Sequence, residues 1–456
     1  MASPLGAGLR RLAKLANWER RPRGGMRDLD HRPCAAVAGA LGFSPKRGPR
    51  VVHVAGSKGK GSVATLVAAG LESAGYGVGL VTSPHAFSVT ERVRRGDGRG
   101  LREADATKLG AQISAAAAAV ERARRVSPRS PLARATWFDA FTAAALATLR
   151  DCDAVVVECG LGGRRDSTNF LQADVAALTS VEVEHAEVLG STTYAIAREK
   201  AAIASPRGVL VVSGSLDAAA RRGAAEVARR RGAAVVAAAP ARAAPAVAAA
   251  AAAPFHGANL AVAAAVLDAC GDRWRDGAVR GALLDDRRAL KAAAAALPAR
   301  GELLRGAVLV DGGHTAGAVA HVAARARRAR RGRDAVLLVA LPRDKDAAAF
   351  AAALAAGGLE PRAAVACAVD GGFHSPRKLA ALLGAAAPDL RVVACDGGPE
   401  RALRRAKALA TPPRPGGKAT ARRRGPRGRP EALVVALGSF KLARAAARAL
   451  ALYEKP

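Results

Sequence analysis

The chain alternates short apolar runs with longer stretches of helical character from residue 50 onward. Five apolar runs in its first part predict buried strands at residues 51–55, 77–81, 154–158, 175–179 and 209–212. Ala-rich stretches such as residues 62–74 separate these runs and favour helices. Because strands that alternate with helices of this length form βαβ units, the pattern predicts an α/β fold whose mostly parallel sheet is covered on both faces.

The same alternation begins again after a break at residues 297–301. Apolar runs beyond the break predict strands at residues 307–310, 335–341, 363–369, 390–394 and 432–437. We therefore predict two domains, residues 1–297 and residues 298–456. An Ala- and Pro-rich stretch is interpreted as a degraded strand and loop, at residues 233–254. A stretch rich in Pro, Gly and Arg is interpreted as a solvated surface insertion, at residues 411–430.

The chain is strongly basic, with 71 Lys and Arg residues against 38 Asp and Glu residues and a formal net charge of +33. A nucleic-acid footprint clusters such charge on one element and carries stacking aromatic residues. Here the bias toward Ala, Gly and Arg extends over the whole length, with only nine Phe, three Trp and three Tyr. We expect no specific nucleic-acid partner. The alternative, from a different class of function, is a non-catalytic protein that binds NTP or RNA.

Signals for targeting are sparse. No run of about 18 strongly apolar residues is present, so we expect no membrane-spanning helix. Six cysteines are scattered without a C-x-x-C pair, which is typical of a reducing compartment. Residues 1–23 are basic and lack the apolar core of a secretory signal. We expect a cytoplasmic protein, with a mitochondrial or plastid location as the alternative.

The candidate chemistry begins with a glycine-rich loop between a predicted strand and a predicted helix, Gly56-Ser57-Lys58-Gly59-Lys60-Gly61-Ser62. Glycines let backbone N–H groups approach phosphate oxygens, and the helix N-terminus adds its positive end. Lys60 can reach the outer phosphates, and the Ser62 hydroxyl can bind Mg²⁺. The strict G-x-x-x-x-G-K-[ST] pattern is not met, because Gly61 separates Lys60 from Ser62. An ordinary glycine-rich turn is the alternative, but the strand–turn–helix setting favours phosphate binding.

Further motifs follow this loop in order along the chain. They are Thr82-Ser83-Pro84-His85 with Thr90-Glu91-Arg92-Val93, Trp137-Phe138-Asp139-Ala140-Phe141-Thr142, Glu158-Cys159-Gly160-Leu161-Gly162-Gly163-Arg164-Arg165-Asp166-Ser167-Thr168-Asn169, Glu184-His185 with Ile196-Ala197-Arg198-Glu199-Lys200, Asp311-Gly312-Gly313-His314 and Gly438-Ser439. Together they resemble the folylpolyglutamate synthase/dihydrofolate synthase family of the Mur ligase superfamily, over about residues 12–450. Glu184 and Thr315 resemble plant-type members, and the Glu184-His185 pair favours the dihydrofolate synthase type.

This resemblance implies an N-terminal P-loop ATPase domain of the Mur ligase type and a smaller, Rossmann-like C-terminal α/β domain. It implies a ligase that transfers the γ-phosphate of ATP to a pterin-linked carboxylate and then joins the acyl phosphate to the amine of L-glutamate. Dihydropteroate is the expected acceptor, and extension of tetrahydrofolate, or both activities, is the alternative. A monomer is expected, with domain closure about residues 297–300.

The resemblance also assigns roles to individual residues. The first Mg²⁺ would be bound by Ser62, Ser83 and Glu158, and a second metal ion by His185. The catalytic residues would be Lys60, His185, Lys200 and Arg300, with Lys200 carbamylated. The ATP site would comprise Gly56, Ser57, Lys58, Gly59, Lys60, Gly61, Ser62, Asn259, Arg300, Asp311 and His314. The structural alternatives are a turn-capping carboxylate for Glu158, a structural or solvated histidine for His185 and a solvated helix lysine for Lys200.

Overall fold

A computed structural model describes residues 3–17, 29–184, 186–239, 257–280, 282, 287–411 and 432–450. The chain forms two compact units, Met1–His85 with Val89–Leu297 and Ala86–Ser88 with Pro298–Pro456. Both units contain a mostly parallel sheet with helices, so the predicted α/β fold is confirmed. No helix within the described ranges is long and apolar enough to cross a membrane.

The first unit contains an eight-stranded sheet within the described residues. Its strands are β1 (Arg50–Ala55), β2 (Val78–Val81), β3 (Val93–Gly96), β4 (Arg102–Glu103), β5 (Ala154–Glu158), β6 (Val175–Leu178), β7 (Val209–Ser213) and β8 (Ala234–Ala238). They lie in the order β4-β3-β2-β5-β1-β6-β7-β8. All the pairings are parallel except β2 with β3 and β3 with β4. The two antiparallel strands are short and carry charged residues, so the pattern of apolar runs does not predict them.

Helices pack on both faces of this sheet. They are α1 (Pro4–Leu12), α2 (Arg32–Ala40), α3 (Lys60–Ser73), α4 (Ala106–Val126), α5 (Trp137–Thr148), α6 (Ala186–Leu189), α7 (Thr193–Ala201), α8 (Ala218–Arg231), α9 (Gly257–Trp274) and α10 (Arg287–Ala295). Short 3₁₀ turns occupy Val89–Arg92, Leu132–Arg134 and Gly277–Val279. Val52 and Val54 of β1 pack in one hydrophobic cluster with α3 and α9, whereas Val51 packs in another with α2, α4 and α5. Because side chains alternate between the two faces of β1, this strand contributes to a hydrophobic core on each face of the sheet.

The second unit contains a six-stranded sheet in its described part. Its strands are β9 (Arg300–Leu304), β10 (Val308–Asp311), β11 (Ala335–Val339), β12 (Ala363–Cys367), β13 (Arg391–Cys395) and β14 (Leu433–Leu437). They lie in the order β13-β12-β11-β14-β10-β9, and only β9 is antiparallel to its neighbour. The helices are α11 (Ala316–Arg330), α12 (Ala347–Ala356), α13 (Pro376–Ala386), α14 (Gly398–Ala410) and α15 (Phe440–Ala449).

Two features of this unit were not predicted. Strand β9 begins at Arg300, inside the stretch that we interpreted as a break. The segment Ala86–Ser88 belongs to the second unit although its neighbours in sequence belong to the first. Ala86 and Phe87 are buried in a hydrophobic cluster of the second unit, and Arg444 Nε donates to the Ala86 carbonyl at 2.7 Å.

The two stretches of unusual composition are only partly described. Strand β8 lies at the beginning of the Ala- and Pro-rich stretch, where a degraded strand was predicted. Residues 240–256 and 412–431 lie outside the described residues, and so does most of the predicted surface insertion.

Candidate active site

The glycine-rich loop connects the carboxyl end of β1 to the first turn of α3. Gly59 caps the helix with φ +84°, a left-handed conformation that glycine adopts without strain. A Cβ atom on Gly56 would lie 2.0 Å from Thr179 Oγ1, and one on Gly59 would lie 2.4 Å from Asn259 Oδ1. The loop backbone therefore packs directly against Thr179 and Asn259, and the structure brings the predicted Asn259 to the loop.

Residues after β6 fix the shape of this loop. The Ser57 N–H donates to the Ser180 carbonyl at 2.9 Å, and the Lys58 N–H donates to Ser180 Oγ at 2.7 Å. Thr179 Oγ1 donates to the Lys58 carbonyl at 2.6 Å. Because these bonds engage the amides of Ser57 and Lys58, the donors suited to an anion are the first-turn amides of α3, which a helix cannot satisfy internally. Thr179 and Ser180 lie outside the motifs and were not predicted.

Three lysines and one glutamate surround the beginning of the loop. Lys60 Nζ donates to the Gly56 carbonyl at 2.9 Å, and Lys200 Nζ donates to the same carbonyl at 3.1 Å. Glu184 lies between two of the ammonium groups, 2.8 Å from Lys58 Nζ and 3.6 Å from Lys200 Nζ. Lys200 is only 1 % exposed, so the alternative of a solvated helix lysine is wrong.

Burial and neighbouring charge shift the protonation of this cluster. Burial lowers the pKa of Lys200 to about 8, and the charge of Lys60 acts in the same direction, against the opposing effect of Glu184. Burial by itself would raise the pKa of Glu184, but Lys58, Lys200 and Lys60 together hold it at about 2. At neutral pH Glu184 is therefore ionised, while roughly a tenth of Lys200 is a neutral amine.

The carboxylate of Glu158 faces the first turn of α3. Glu158 ends β5, and its Oε2 atom accepts a hydrogen bond from the Ser83 N–H at 2.8 Å. A Cβ atom on Gly61 would lie 3.3 Å from the same oxygen, so the absence of a side chain there leaves room beside the carboxylate. The carboxylate thus receives a hydrogen bond from the segment after β2, which a role limited to capping its own turn does not explain.

The donor groups here suit a hard cation. Glu158 supplies carboxylate oxygens, and Ser62 and Ser83 carry hydroxyl groups, which are ligands that Mg²⁺ accepts in place of some of its waters. Within the part of the chain that the structure describes, no group of three or more His, Cys, Asp or Glu residues could bind a metal ion. A metal ion at this position therefore depends on the serine hydroxyls as well as on one carboxylate. His185, predicted to bind a second metal, lies outside the described residues.

The second unit carries three of the predicted residues, Arg300, Asp311 and His314. Arg300 and Asp311 are partners in the β9–β10 pairing, and the Arg300 guanidinium lies over the Phe440 ring at 4.5 Å. Burial raises the pKa of Asp311, although Arg300 lowers it. His314 Nδ1 lies 2.9 Å from the Gly312 carbonyl, which can only accept, so Nδ1 carries a proton.

A buried polar network supports the segment that follows Glu158. Asp166 accepts hydrogen bonds from the Leu161 N–H at 2.7 Å and the Thr168 N–H at 3.0 Å. Thr168 Oγ1 lies 2.7 Å from Nε2 of His53, and burial lowers the pKa of this histidine to about 3. A neutral His53 on β1 thus ties residues 160–168 to the strand that leads into the loop. Asp166 belongs to a motif that the sequence revealed, whereas no sequence signal pointed to His53.

The turn after Glu158 also packs on the backbone that carries Lys200. A Cβ atom on Gly163 would lie 2.6 Å from the carbonyl oxygens of both Glu199 and Lys200. The Arg164 N–H donates to the Glu199 carbonyl at 2.9 Å. Gly163 therefore allows α7 to approach closely enough for Lys200 to reach the loop.

Comparison with known proteins finds folylpolyglutamate and dihydrofolate synthases as relatives, although no protein-family model matches the sequence. Over 195 residues the chain is 36 % identical to the folylpolyglutamate synthase of Lacticaseibacillus casei, covering 42 % of this chain and 44 % of that protein. Over 178 residues it is 38 % identical to the dihydrofolate synthase/folylpolyglutamate synthase of Escherichia coli, covering 39 % of each. A probable bifunctional folylpolyglutamate synthase/dihydropteroate synthase of Halobacterium salinarum is 38 % identical over 185 residues, or 40 % of this chain and 22 % of the relative. The chain thus spans less than half the length of these curated relatives.

Solved structures match over nearly the whole chain. Escherichia coli FolC in complex with DHPP and ADP has a TM-score of 0.72 and 24 % identity, over 99 % of this chain and 98 % of that one. The Yersinia pestis bifunctional folylpolyglutamate synthase/dihydrofolate synthase with AMPPNP and Mn has a TM-score of 0.70 and 24 % identity, over 99 % of each. The chain resembles folylpolyglutamate and dihydrofolate synthases in sequence and has their fold. The resemblance that the motifs indicated is confirmed.

The residues that the resemblance to these synthases singled out fall into three groups. The structure places Lys58, Lys60, Lys200 and Asn259 against one loop, with Glu158 facing the next helical turn. Arg300, Asp311 and His314 form a second group in the other unit. His185 is outside the described residues. Glu184 was used in the sequence only to indicate the type of synthase, whereas the structure shows it paired with two of the lysines.

Proposed function

We propose that this protein is an ATP-dependent ligase that joins L-glutamate to a pteroate- or folate-type carboxylic acid. Dihydropteroate is the acceptor we favour, and tetrahydrofolate, or both, is the alternative. The observation that carries the proposal is the convergence of Lys60, Lys200 and Glu158 on a glycine loop at a helix N-terminus. The ligands named for the structural neighbours support it, since they include ADP with DHPP and AMPPNP with L-glutamate.

The loop supplies the phosphate-binding groups in this proposal. The first-turn amides of α3 point along the helix axis toward an anion, and the helix dipole favours negative charge at that end. Lys60 now donates to the neutral carbonyl of Gly56. A phosphate oxygen is a stronger acceptor because its hydrogen bond with an ammonium is charge-assisted. Lys60 would therefore exchange the carbonyl for the γ-phosphate and neutralise charge as that group is transferred.

Magnesium is the metal ion that we propose for the donor set of Ser62, Ser83 and Glu158. When bound there, it would neutralise charge on the β- and γ-phosphates. The protein contributes the orientation of the carboxylate, because the Ser83 N–H fixes one oxygen of Glu158. A second metal ion at His185 is part of the same proposal.

Lys200 is proposed to carry a carbamate. The neutral amine attacks CO₂, an N–C bond forms, one proton leaves to solvent, and the side chain becomes anionic. Two properties of the site favour this reaction. The pKa of about 8 provides neutral amine near pH 7, and Lys60 and Lys58 supply positive charge around an anionic product. Glu184 opposes it, because a carboxylate stabilises the ammonium form.

The carboxylic acid substrate is proposed to enter beside Glu158. A narrow crevice there is lined by Ser83, Arg92, Phe138 and Phe141, among others. It has room for little more than one water molecule, so a heterocycle would enter only if these side chains moved apart. The substrate carboxylate would attack the γ-phosphate, ADP would leave, and the amine of L-glutamate would then displace phosphate from the acyl phosphate. Arg300, Asp311 and His314 are proposed to contact the nucleotide.

The test is a glutamate-incorporation assay with the purified chain. Labelled L-glutamate, ATP and Mg²⁺ are supplied with dihydropteroate or tetrahydrofolate in separate reactions. We expect ADP release that requires both glutamate and an acceptor, and a labelled product with dihydropteroate. No product with either acceptor from protein that is folded by circular dichroism would contradict the proposal. Salt-sensitive RNA binding without ATP turnover would support the non-catalytic alternative instead.

A further inference from the structure

Two cysteines lie directly opposite each other in the second unit. Cys367 is the last residue of β12 and Cys395 is the last residue of β13, and the parallel pairing of these strands makes the two residues Cα partners. The remaining cysteines lie in the first unit, at positions Cys34, Cys152, Cys159 and Cys270. All six are buried free thiols in this structure. The catalytic proposal uses none of them.

The pairing places the two Cα atoms within the range found in disulfide-bonded cysteines. Register partners on neighbouring strands project their side chains to the same face of the sheet, and both cysteines belong to the same hydrophobic cluster. Neighbouring strands lie about 4.8 Å apart. Disulfide-bonded cysteines have Cα atoms roughly 4.4–6.8 Å apart, so the strand spacing meets this requirement without a change of register.

We propose that Cys367 and Cys395 form a reversible disulfide when a low-molecular-weight disulfide serves as oxidant. Cys395 reacts first, because it is 9 % exposed on the edge strand β13, whereas Cys367 is fully buried. The Cys395 thiolate attacks the small disulfide, one small thiol leaves, and a mixed disulfide remains on Cys395. The Cys367 thiolate then attacks the Cys395 sulfur and expels the second small thiol. Two protein thiols lose two electrons and two protons, and one small disulfide becomes two small thiols.

The surroundings make this a slow reaction. Burial raises the pKa of Cys367 to about 12, and the neighbouring Cys395 acts in the same direction. Only the thiolate attacks a disulfide, so the ring-closing step accelerates about tenfold for each unit of pH between 7 and 9. The pair is therefore suited to responding to a sustained oxidising change and not to a brief one.

The bond would fasten an edge strand to its sheet. Strand β13 pairs only with β12 in the described sheet. The bond would enclose α13 and β13 and join them to the last residue of β12, within one βαβ unit. Closing a loop of about 30 residues restricts the unfolded chain, and the melting temperature of the second unit is expected to rise on the order of 5–10 °C.

Peptide mapping of the full-length wild-type chain tests the proposal without relying on any variant. The reduced protein is incubated with oxidised glutathione at pH 7, 8 and 9, with and without urea below the unfolding midpoint, then alkylated and digested. We expect one linked peptide pair that joins Cys367 to Cys395, lost on treatment with dithiothreitol and formed faster at higher pH. Its absence under all of these conditions, or a bond between other cysteines in its place, overturns the proposal.

Three variants locate the chemistry. Cys367→Ala is expected to accumulate a glutathione adduct on Cys395, because the second thiol is missing. Cys395→Ala is expected to form neither adduct nor linked peptide in the second unit. Cys152→Ala is the matched control and should behave like the wild-type protein. A glutathione adduct on Cys367 in the Cys395→Ala variant would contradict the order of the two steps. No readout uses ATP or folate, so the result is independent of the proposed ligase activity.

Discussion

Replacing Lys200 with methionine is predicted to stabilise the first unit while abolishing the proposed activity. Methionine has a similar length and is apolar, and Lys200 is 1 % exposed. The ordinary lysine pKa of 10.5 is lowered to about 8 in the folded protein. Each tenfold change in a protonation equilibrium is worth about 1.4 kcal/mol, so burying the ammonium costs about 3 kcal/mol at pH 7. The variant avoids this cost.

Part of this gain is offset by a lost hydrogen bond. Lys200 donates to the Gly56 carbonyl, and a hydrogen bond that involves a charged group contributes about 2 kcal/mol net. The carbonyl keeps Lys60 as a donor, so it is not left unsatisfied. The expected increase in the free energy of unfolding at pH 7 is therefore about 1 kcal/mol.

The sign of the pH dependence is the sharper test. Because the folded-state pKa of Lys200 lies below the unfolded one, the wild-type protein bears the full cost below pH about 8 and none above pH about 10.5. The difference between variant and wild type should shrink and then change sign across this range. Urea unfolding followed by tryptophan fluorescence reports the first unit, because Trp137 and Trp274 belong to it and no tryptophan follows residue 297 in the sequence. The buffers must be free of CO₂.

Two controls accompany this measurement. Lys108→Met removes an exposed lysine that pairs with Asp151 at 3.3 Å, and it is expected to change stability by no more than about 0.5 kcal/mol. Bicarbonate should stabilise the wild-type protein and not Lys200→Met, since only a lysine can bind CO₂. A Lys200→Met protein that is less stable than wild type at pH 7, or a difference independent of pH, would refute the reasoning.

Three further predictions concern the same site. Lys60→Ala should abolish ATP turnover and leave the circular dichroism spectrum unchanged, and turnover at the wild-type rate would reject the phosphate assignment. Gly163→Ala should destabilise the first unit by about 1–3 kcal/mol in urea unfolding, because its Cβ would lie 2.6 Å from two backbone carbonyls. The control is Gly317→Ala, at a position on α11 with open space around it, which should instead stabilise the protein by about 0.5–1 kcal/mol. The ionised Glu184, with a pKa of about 2, stabilises the folded state fully above pH about 4.5 and loses this effect as the pH falls toward 2. Glu184→Gln should reduce the loss of unfolding free energy between pH about 4.5 and 2. An unchanged loss over this range would show that the carboxylate is not held by Lys58 and Lys200.

The strands and the loop could be predicted because their signals are local. Each of the ten predicted apolar runs contains a strand in the structure, since burial on both faces of a parallel sheet requires consecutive apolar residues. The pattern of apolar runs did not predict strands β3, β4 and β9. These strands are short or polar, and they form because they pair with a neighbouring strand. The segment Ala86–Ser88 was assigned to the wrong unit for a related reason, since its burial depends on residues far along the chain.

The sequence by itself determined the alternation of strands and helices, the glycine loop and the identity of most residues around it. Only the tertiary structure decided that Lys200 is buried, that Glu184 lies between two lysines and that Thr179 and Ser180 shape the loop. The physical reason is distance along the chain: Lys200 and Gly56 are separated by 144 positions, and their contact exists only because β1 and α7 pack in the same unit. Protonation depends on such contacts, so the chemistry of the lysine follows from the fold and not from its motif.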